Sequence, residues 1–130
     1  MRFWISLILW FVVWGVPSSG QVIVAHRGAS FDAPENTLAA FNLAWAQGSD
    51  GVVVDFYLTR DEQIVCIHDR GTTRTTGVSK SVEDSTLAEL RQLEYGSWKG
   101  KKWKGEQIPT FQDVFKSVPE GGLFVIELKS

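Results

Sequence analysis

Six residues combine reactive or ligating side chains with positions at the ends of apolar runs: His26, Arg27, Asp55, His68, Glu127 and Lys129. Two histidines titrate near neutral pH, so they can share a proton cycle as general acid and general base. Arg27 and Lys129 can hold a phosphate, Arg27 through two parallel hydrogen bonds. Asp55 and Glu127 offer carboxylate oxygens to a hard cation, Ca2+ or Mg2+. Taken together, these types describe metal-assisted phosphoryl transfer. A lone His or a buried Asp is more often a satisfied structural residue than a catalyst. A functional site therefore requires that the six converge.

The elements that must position them follow from periodicity. Gln21 to Ala25 (QVIVA) is short, apolar and β-branched, and reads as a strand with His26-Arg27-Gly28 at its C-terminal end. A helix is expected after the Pro34 loop, capped by Asn36 or Thr37, with Leu38, Phe41 and Trp45 on one face and Gly48 ending it. Gly51 to Leu58 (GVVVDFYL) is a strand apolar on both faces, as in a helix-covered parallel sheet. Alternation puts Val53, Asp55 and Tyr57 on one face. In the next run Ile64, Cys66 and His68 are expected to share a face, with Cys66 a small buried hydrophobe. Thr72 to Ser81 reads as loop. Thr86 to Glu89 has the pattern of a capping box, and Leu87, Leu90 and Leu93 give its helix an apolar face. Pro109-Thr110 opens a further helix with Phe111, Val114 and Phe115 inward. Leu123 to Lys129 (LFVIELK) is a strand that puts Glu127 and Lys129 on one face. Strands alternating with helices predict an α/β fold with parallel pairing, where chemistry gathers at the C-terminal strand ends.

Composition narrows the function class. The 130 residues carry a net charge of −2, which argues against a nucleic-acid partner. A single cysteine, Cys66, excludes an internal disulfide and a thiolate metal cluster. Met1-Arg2 followed by the apolar run Phe3 to Gly15 and by Pro17-Ser18-Ser19-Gly20 reads as a signal peptide over 1–20. This predicts export to the periplasm or beyond, with an uncleaved membrane anchor as the alternative. The basic, aromatic loop Trp98 to Lys104 could touch an anionic membrane or be an ordinary solvated loop. The sequence does not indicate an oligomeric state.

Several ordered strings resemble the glycerophosphodiester phosphodiesterase family: His26-Arg27-Gly28-Ala29, Pro34-Glu35-Asn36-Thr37, Asp55 with Leu58-Thr59-Arg60-Asp61, His68-Asp69, Ile108-Pro109-Thr110 and Glu127-Leu128-Lys129. The resemblance covers residues 22–129. It implies a (β/α)8 TIM-barrel of the phospholipase-C-like type that cleaves a glycerophosphodiester to glycerol 3-phosphate and an alcohol. It implies His26 and His68 as the acid-base pair, and Arg27 and Lys129 as phosphate contacts. It also implies Asp55 and Glu127 as ligands of a divalent metal, Ca2+ or Mg2+, with Glu35 supporting the site.

Two departures from the family pattern stand out. The pattern calls for a glutamate two residues before Asp55, where this chain has Val53, a side chain that cannot ligate a metal. Asp50 is offset from Asp55 by an odd number and would point to the other strand face. A complete barrel also needs eight strands and roughly 250 residues, whereas residues 21–130 supply about the first three strands. The chain is therefore expected to be the N-terminal portion of a longer product or a poorly stable protein. The alternative function is a non-catalytic remnant of the same domain that binds phosphate headgroups or is inactive. A metal-independent hydrolase built on His68-Asp69 is disfavoured by the lack of a G-x-S-x-G nucleophile elbow.

Overall fold

The computed structural model describes residues 20–129. The signal peptide expected over 1–20 therefore lies, apart from Gly20, outside the described residues. The elements are β1 (Val24–His26), α1 (Leu38–Ala46), β2 (Gly51–Leu58), β3 (Ile64–Cys66), α2 (Thr73–Thr76), α3 (Leu87–Leu90), a 3-10 turn (Lys101–Trp103), α4 (Phe111–Ser117) and β4 (Leu123–Leu128).

β2 is the central strand of a four-stranded sheet. β4 runs parallel along one side of it, from Gly51 opposite Leu123 to Phe56 opposite Leu128. The other side is shared. β1 pairs in parallel with the first half of β2, ending at His26 opposite Val53. β3 pairs with the last residues, Phe56 opposite Cys66 through Leu58 opposite Ile64, and it runs antiparallel. That orientation corrects the expectation of parallel pairing throughout. Residues 59–63 turn tightly, Thr59 N donating to Gln63 O at 2.9 Å, and such a link cannot make the long crossover a parallel neighbour needs.

Alternation along β2 separates two cores. Val52, Val54 and Phe56 pack with Phe41 and Ala44 of α1, Val114 of α4 and Cys66. Tyr57, on the opposite face, packs with Val65, Ile67, Val82, Leu90, Tyr95 and Ile108. Asp55 belongs to the Tyr57 face and is completely buried. Thr37 caps α1, its Oγ1 accepting from Ala40 N at 3.3 Å, so Asn36 is released from capping. Thr86 and Glu89 form the expected capping box of α3, and Thr110 and Asp113 form another at α4.

Local differences have local causes. β1 begins at Val24, later than the expected Gln21: Val22 and Ile23 are each 61% exposed, and Ile23 N donates to the Asp50 side chain rather than to a ladder carbonyl. The segment Thr72 to Ser81 contains the helical turn α2, closed by Gly77 at φ +74°. Phe115 is 60% exposed rather than inward, stacked on Phe111 with ring centroids 6.0 Å apart. β3 stops at Cys66, so strand alternation no longer fixes His68. Cys66 itself is buried with the helix-side core, as expected, and its Sγ donates to Asn36 Oδ1 at 3.3 Å.

Candidate functional site

His26, Arg27, His68 and Lys129 lie at or beyond the C-terminal ends of their strands, Glu127 one residue before the end of β4 and Asp55 three residues before the end of β2. Register fixes the layer. Asp55 is opposite Glu127 in the β2–β4 ladder. Lys129 N donates to Phe56 O at 2.9 Å, which continues that ladder beyond β4. Arg27 N donates to Val53 O at 2.9 Å, which ties the end of β1 to β2.

Asp55 anchors the arrangement. Its Oδ2 accepts from Asn36 Nδ2 at 2.9 Å and faces Arg27 Nε at 3.3 Å. Its Oδ1 is buried, receives no hydrogen bond, and faces Lys129 Nζ at 3.4 Å. Burying a carboxylate is costly unless counter-charges and donors of this kind surround it. Lys129 also bonds Glu127. That contact holds the Lys129 ammonium above its ordinary pKa and the Glu127 carboxyl below its own.

The backbone is shaped around these contacts. Arg27 and Asn36 both adopt left-handed conformations, at φ 59° and 57°. Such a conformation is costly for arginine and is held by its surroundings, as at many functional sites. Gly28, at φ +76°, passes so close to α1 that a Cβ would stand 2.6 Å from the Ala40 carbonyl carbon. No other residue type fits there, and the turn that aims Arg27 depends on it.

A second group adjoins the first. Arg74 holds Glu35 with both terminal nitrogens, at 2.9 and 2.8 Å, and Asp69 with Nε at 2.7 Å. Glu35 also accepts from Arg27 at 3.1 Å. Asp69 Oδ1 lies 2.7 Å from His68 Nδ1. Burial raises the Glu35 carboxyl, but Arg74 and Arg27 outweigh it, so Glu35 titrates below its ordinary value. The hydrogen bond from Arg74, helped by His68, draws Asp69 down to about 2.

Sequence reasoning missed Asn36 and Arg74. Asn36 stood in a capping position, and Arg74 was one cation in a threonine-rich stretch with no periodicity to direct it. Asp50, set aside on parity, indeed lies away from the layer. Its Oδ2 accepts from Ile23 N at 2.8 Å, beside the start of β2. A cavity of about 520 Å3 lies at that opposite end, bordered by Val22, Trp45, Asp50 and Leu123. None of the six residues lines it.

Two carboxylates of the kind a hard cation takes stand here, with the Lys129 ammonium now between them, which a bound cation would have to displace. Asp55 Oδ1 is buried without a donor, and Glu127 is its neighbour in register. A three-carboxylate site does not form: Val53 occupies the position two residues before Asp55, and among the described residues no cluster of three or more His, Cys, Asp or Glu side chains could hold a metal.

A mainly parallel α/β sheet, with β3 antiparallel and a charged layer at the C-terminal strand ends, is consistent with the N-terminal portion of a (β/α)8 barrel. Residues 26–130 match the glycerophosphoryl diester phosphodiesterase family, and the chain belongs to it. It is 44% identical over 110 residues to a glycerophosphodiester phosphodiesterase of Caldanaerobacter subterraneus subsp. tengcongensis, covering 84% of this chain and 45% of that protein. Its fold superposes on an Oleispira antarctica phosphodiesterase in complex with the product sn-glycerol-3-phosphate, with a TM-score of 0.80, 40% identity, and 84% and 44% of the two chains covered. A glycerophosphodiester phosphodiesterase from Agrobacterium tumefaciens str. C58 gives a TM-score of 0.79 at 35% identity, covering 83% and 47%. The chain thus spans less than half the length of these relatives.

Proposed function

We propose that the protein containing these residues hydrolyses glycerophosphodiesters to glycerol 3-phosphate and an alcohol. The carrying observation is the layer in which Arg27, Asp55, Glu127 and Lys129 meet, with His26 ending β1 next to Arg27 in the chain and His68 following β3. The relative that holds sn-glycerol-3-phosphate supports the substrate class.

The chemistry needs a water oxygen to bond phosphorus while the P–O bond to the alcohol breaks. One histidine takes a proton from the attacking water, and the other returns one to the departing alkoxide. His26 is exposed at the end of β1 and free to reach a substrate, while His68 is held at Nδ1 by Asp69. Arg27 and Lys129 supply the phosphate contacts, exchanging part of their pairing with Asp55 for the diester.

Charge count gives the cation its role. Four carboxylates (Glu35, Asp55, Asp69, Glu127) outnumber three fixed cations (Arg27, Arg74, Lys129). An anionic diester therefore meets a layer that is net negative when the histidines are neutral. Asp55 and Glu127 would hold a divalent cation, Ca2+ or Mg2+, which when bound supplies positive charge to the phosphoryl oxygens.

The test is release of glycerol 3-phosphate from glycerophosphocholine by the full chain, assayed with Ca2+, Mg2+ and Mn2+. His26→Asn and His68→Asn should each lower the rate by about 100-fold or more. No product with any of the three ions sinks the reading. Val53 favours a second reading, a domain that binds without turnover. Calorimetric binding of Ca2+ and glycerophosphocholine without product would establish it.

The apolar leader supports export to the periplasm or beyond, and a mature N-terminus near Gln21 in mass spectra would check this. The loop Trp98 to Lys104 supports contact with an anionic membrane. Lys101, Lys102 and Lys104 are exposed, and Lys99 donates to Ser30 O at 2.8 Å. That bond brings the loop beside Phe31, which is 91% exposed.

A further inference from the structure

The Arg74 fork joins two carboxylates from separate segments. Glu35 comes from the loop before α1, and Asp69 from the segment after β3. All three donor bonds are short, between 2.7 and 2.9 Å. Arg27 reaches the same Glu35, so an unbroken series of contacts runs from His68 through Asp69, Arg74, Glu35 and Arg27 to the buried Asp55. An exposed ion pair between two flexible side chains contributes little. A guanidinium that is planar, always charged and engaged on both edges is different, because its geometry fixes both carboxylates at once.

The consequence falls on His68. An ionised carboxylate has acceptors only. With Asp69 Oδ1 2.7 Å from Nδ1, that nitrogen must carry the proton. Neutral His68 then has a bare Nε2, able to accept a proton. Protonated His68 has an Nε2–H, able to donate one. The other charged groups around the ring are Glu35 across the small cavity that His68 lines, and Glu127, whose carboxyl His68 also influences. No hydrogen bond joins either of them to the ring, so Asp69 sets the tautomer.

We propose that Arg74 is a positioning residue for His68: by clamping Asp69 against Glu35 it fixes the Nδ1–H tautomer and leaves Nε2 for the substrate. This rests on the reading of His68 as a reacting group, but its structural content can be measured without turnover.

The experiment is a long-range 15N–1H correlation spectrum of the labelled full chain at neutral pH, which distinguishes the two tautomers directly. The unsubstituted chain should show the Nδ1–H form in roughly tenfold excess or more, the population ratio of a charge-assisted hydrogen bond. Arg74→Gln should lose that excess. Its diesterase kcat should fall roughly 10- to 100-fold with KM little changed, as when an orienting contact behind a functional histidine is removed. Should Arg74→Gln fail to fold, Arg74→Lys is read in the same way, because a single ammonium cannot span both carboxylates. An Nε2–H form in the unsubstituted chain overturns the proposal. So does an unchanged tautomer ratio in the substituted chain, even with a lowered melting temperature. An inactive chain with the expected tautomer would remove the diesterase reading and leave the positioning role standing.

Discussion

Val53 is the single side chain on which cation binding turns. It lies on the Asp55 face of β2, opposite His26 on one side and Val125 on the other. A glutamate there would add a third carboxylate to Asp55 and Glu127. Ca2+ affinity climbs steeply with ligand charge, so Val53→Glu should tighten Ca2+ binding about tenfold or more in calorimetric titration. An unchanged affinity would show that Asp55 and Glu127 are not the ligands. Asn36 makes a different contribution. Its amide is the uncharged donor to the buried Asp55 carboxylate, and its Oδ1 accepts from Cys66. Asn36→Ala removes a hydrogen bond to a charged group and should lower stability by about 1.5–3 kcal/mol in urea unfolding. A change below about 0.5 kcal/mol, the usual surface value, would mean that Asp55 finds another donor.

Among the elements, β2 was legible at once. Its apolar run, with Asp55 inside it, gives both the central strand and the buried charge. Helix α1 was equally legible, because Thr37, Phe41 and Gly48 mark its cap, its core face and its end. The pairing of β3 was less so: strand periodicity is the same in either direction, and only the tight 59–63 turn makes the pair antiparallel. The loop from Trp98 to Lys104 makes its own prediction. Lys102 lies 4.6 Å from the centre of the Trp103 ring, while Trp98 is 41% exposed. Phosphatidylserine-containing vesicles should bind the chain in co-sedimentation. Replacing Lys101, Lys102 and Lys104 by glutamate should abolish that binding, since each basic residue contributes about 1 kcal/mol at an anionic surface. Equal binding to neutral vesicles would exclude the electrostatic account.

At the scale of the whole molecule, the sheet is covered unevenly. β1, β2 and β3 are backed by α1, α4 and the 70–110 segment. Along β4, Leu123, Val125 and Ile126 are each more than 40% exposed and Leu128 is 78% exposed. The chain spans under half the length of its relatives, and an apolar strand open on its outer side is what a partial barrel leaves. The charged layer ties stability to acid. Asp69 titrates at about 2, below its ordinary 3.8, and Glu35 is also lowered. Groups lowered by folding add stability above their unfolded pKa and lose it as pH falls through the folded value. The melting temperature should therefore drop as pH falls from about 4 to 2. Asp69 is 35% exposed as a side chain, so solvent screening moderates the effect. Arg74→Gln should make this acid limb shallower. An acid limb of the same steepness in the substituted chain would show that Arg74 does not hold the two carboxylates in their ionised form.

Side-chain type and spacing alone supply the alternation of strands and helices, the capping box at Thr86, a helix start at Asn36 or Thr37 and another at Pro109-Thr110, the placing of His26, Arg27, Glu127 and Lys129 at strand ends with Asp55 a little further inside, and the departure at Val53. Those features are local, fixed by side-chain type, periodicity and the order of strings along the chain. Tertiary structure decided the rest: the antiparallel β3, Asn36 as the donor to Asp55, Lys129 between Asp55 and Glu127, and Arg74 spanning Glu35 and Asp69. The Asn36–Asp55, Lys129–Asp55 and Arg74–Glu35 contacts join residues far apart in sequence, where no spacing rule operates, while β3 is turned back by the tight 59–63 link. Burying Asp55 in the β2–β4 ladder is costly unless charge and donors gather round it, and Asn36, Arg27 and Lys129 supply them.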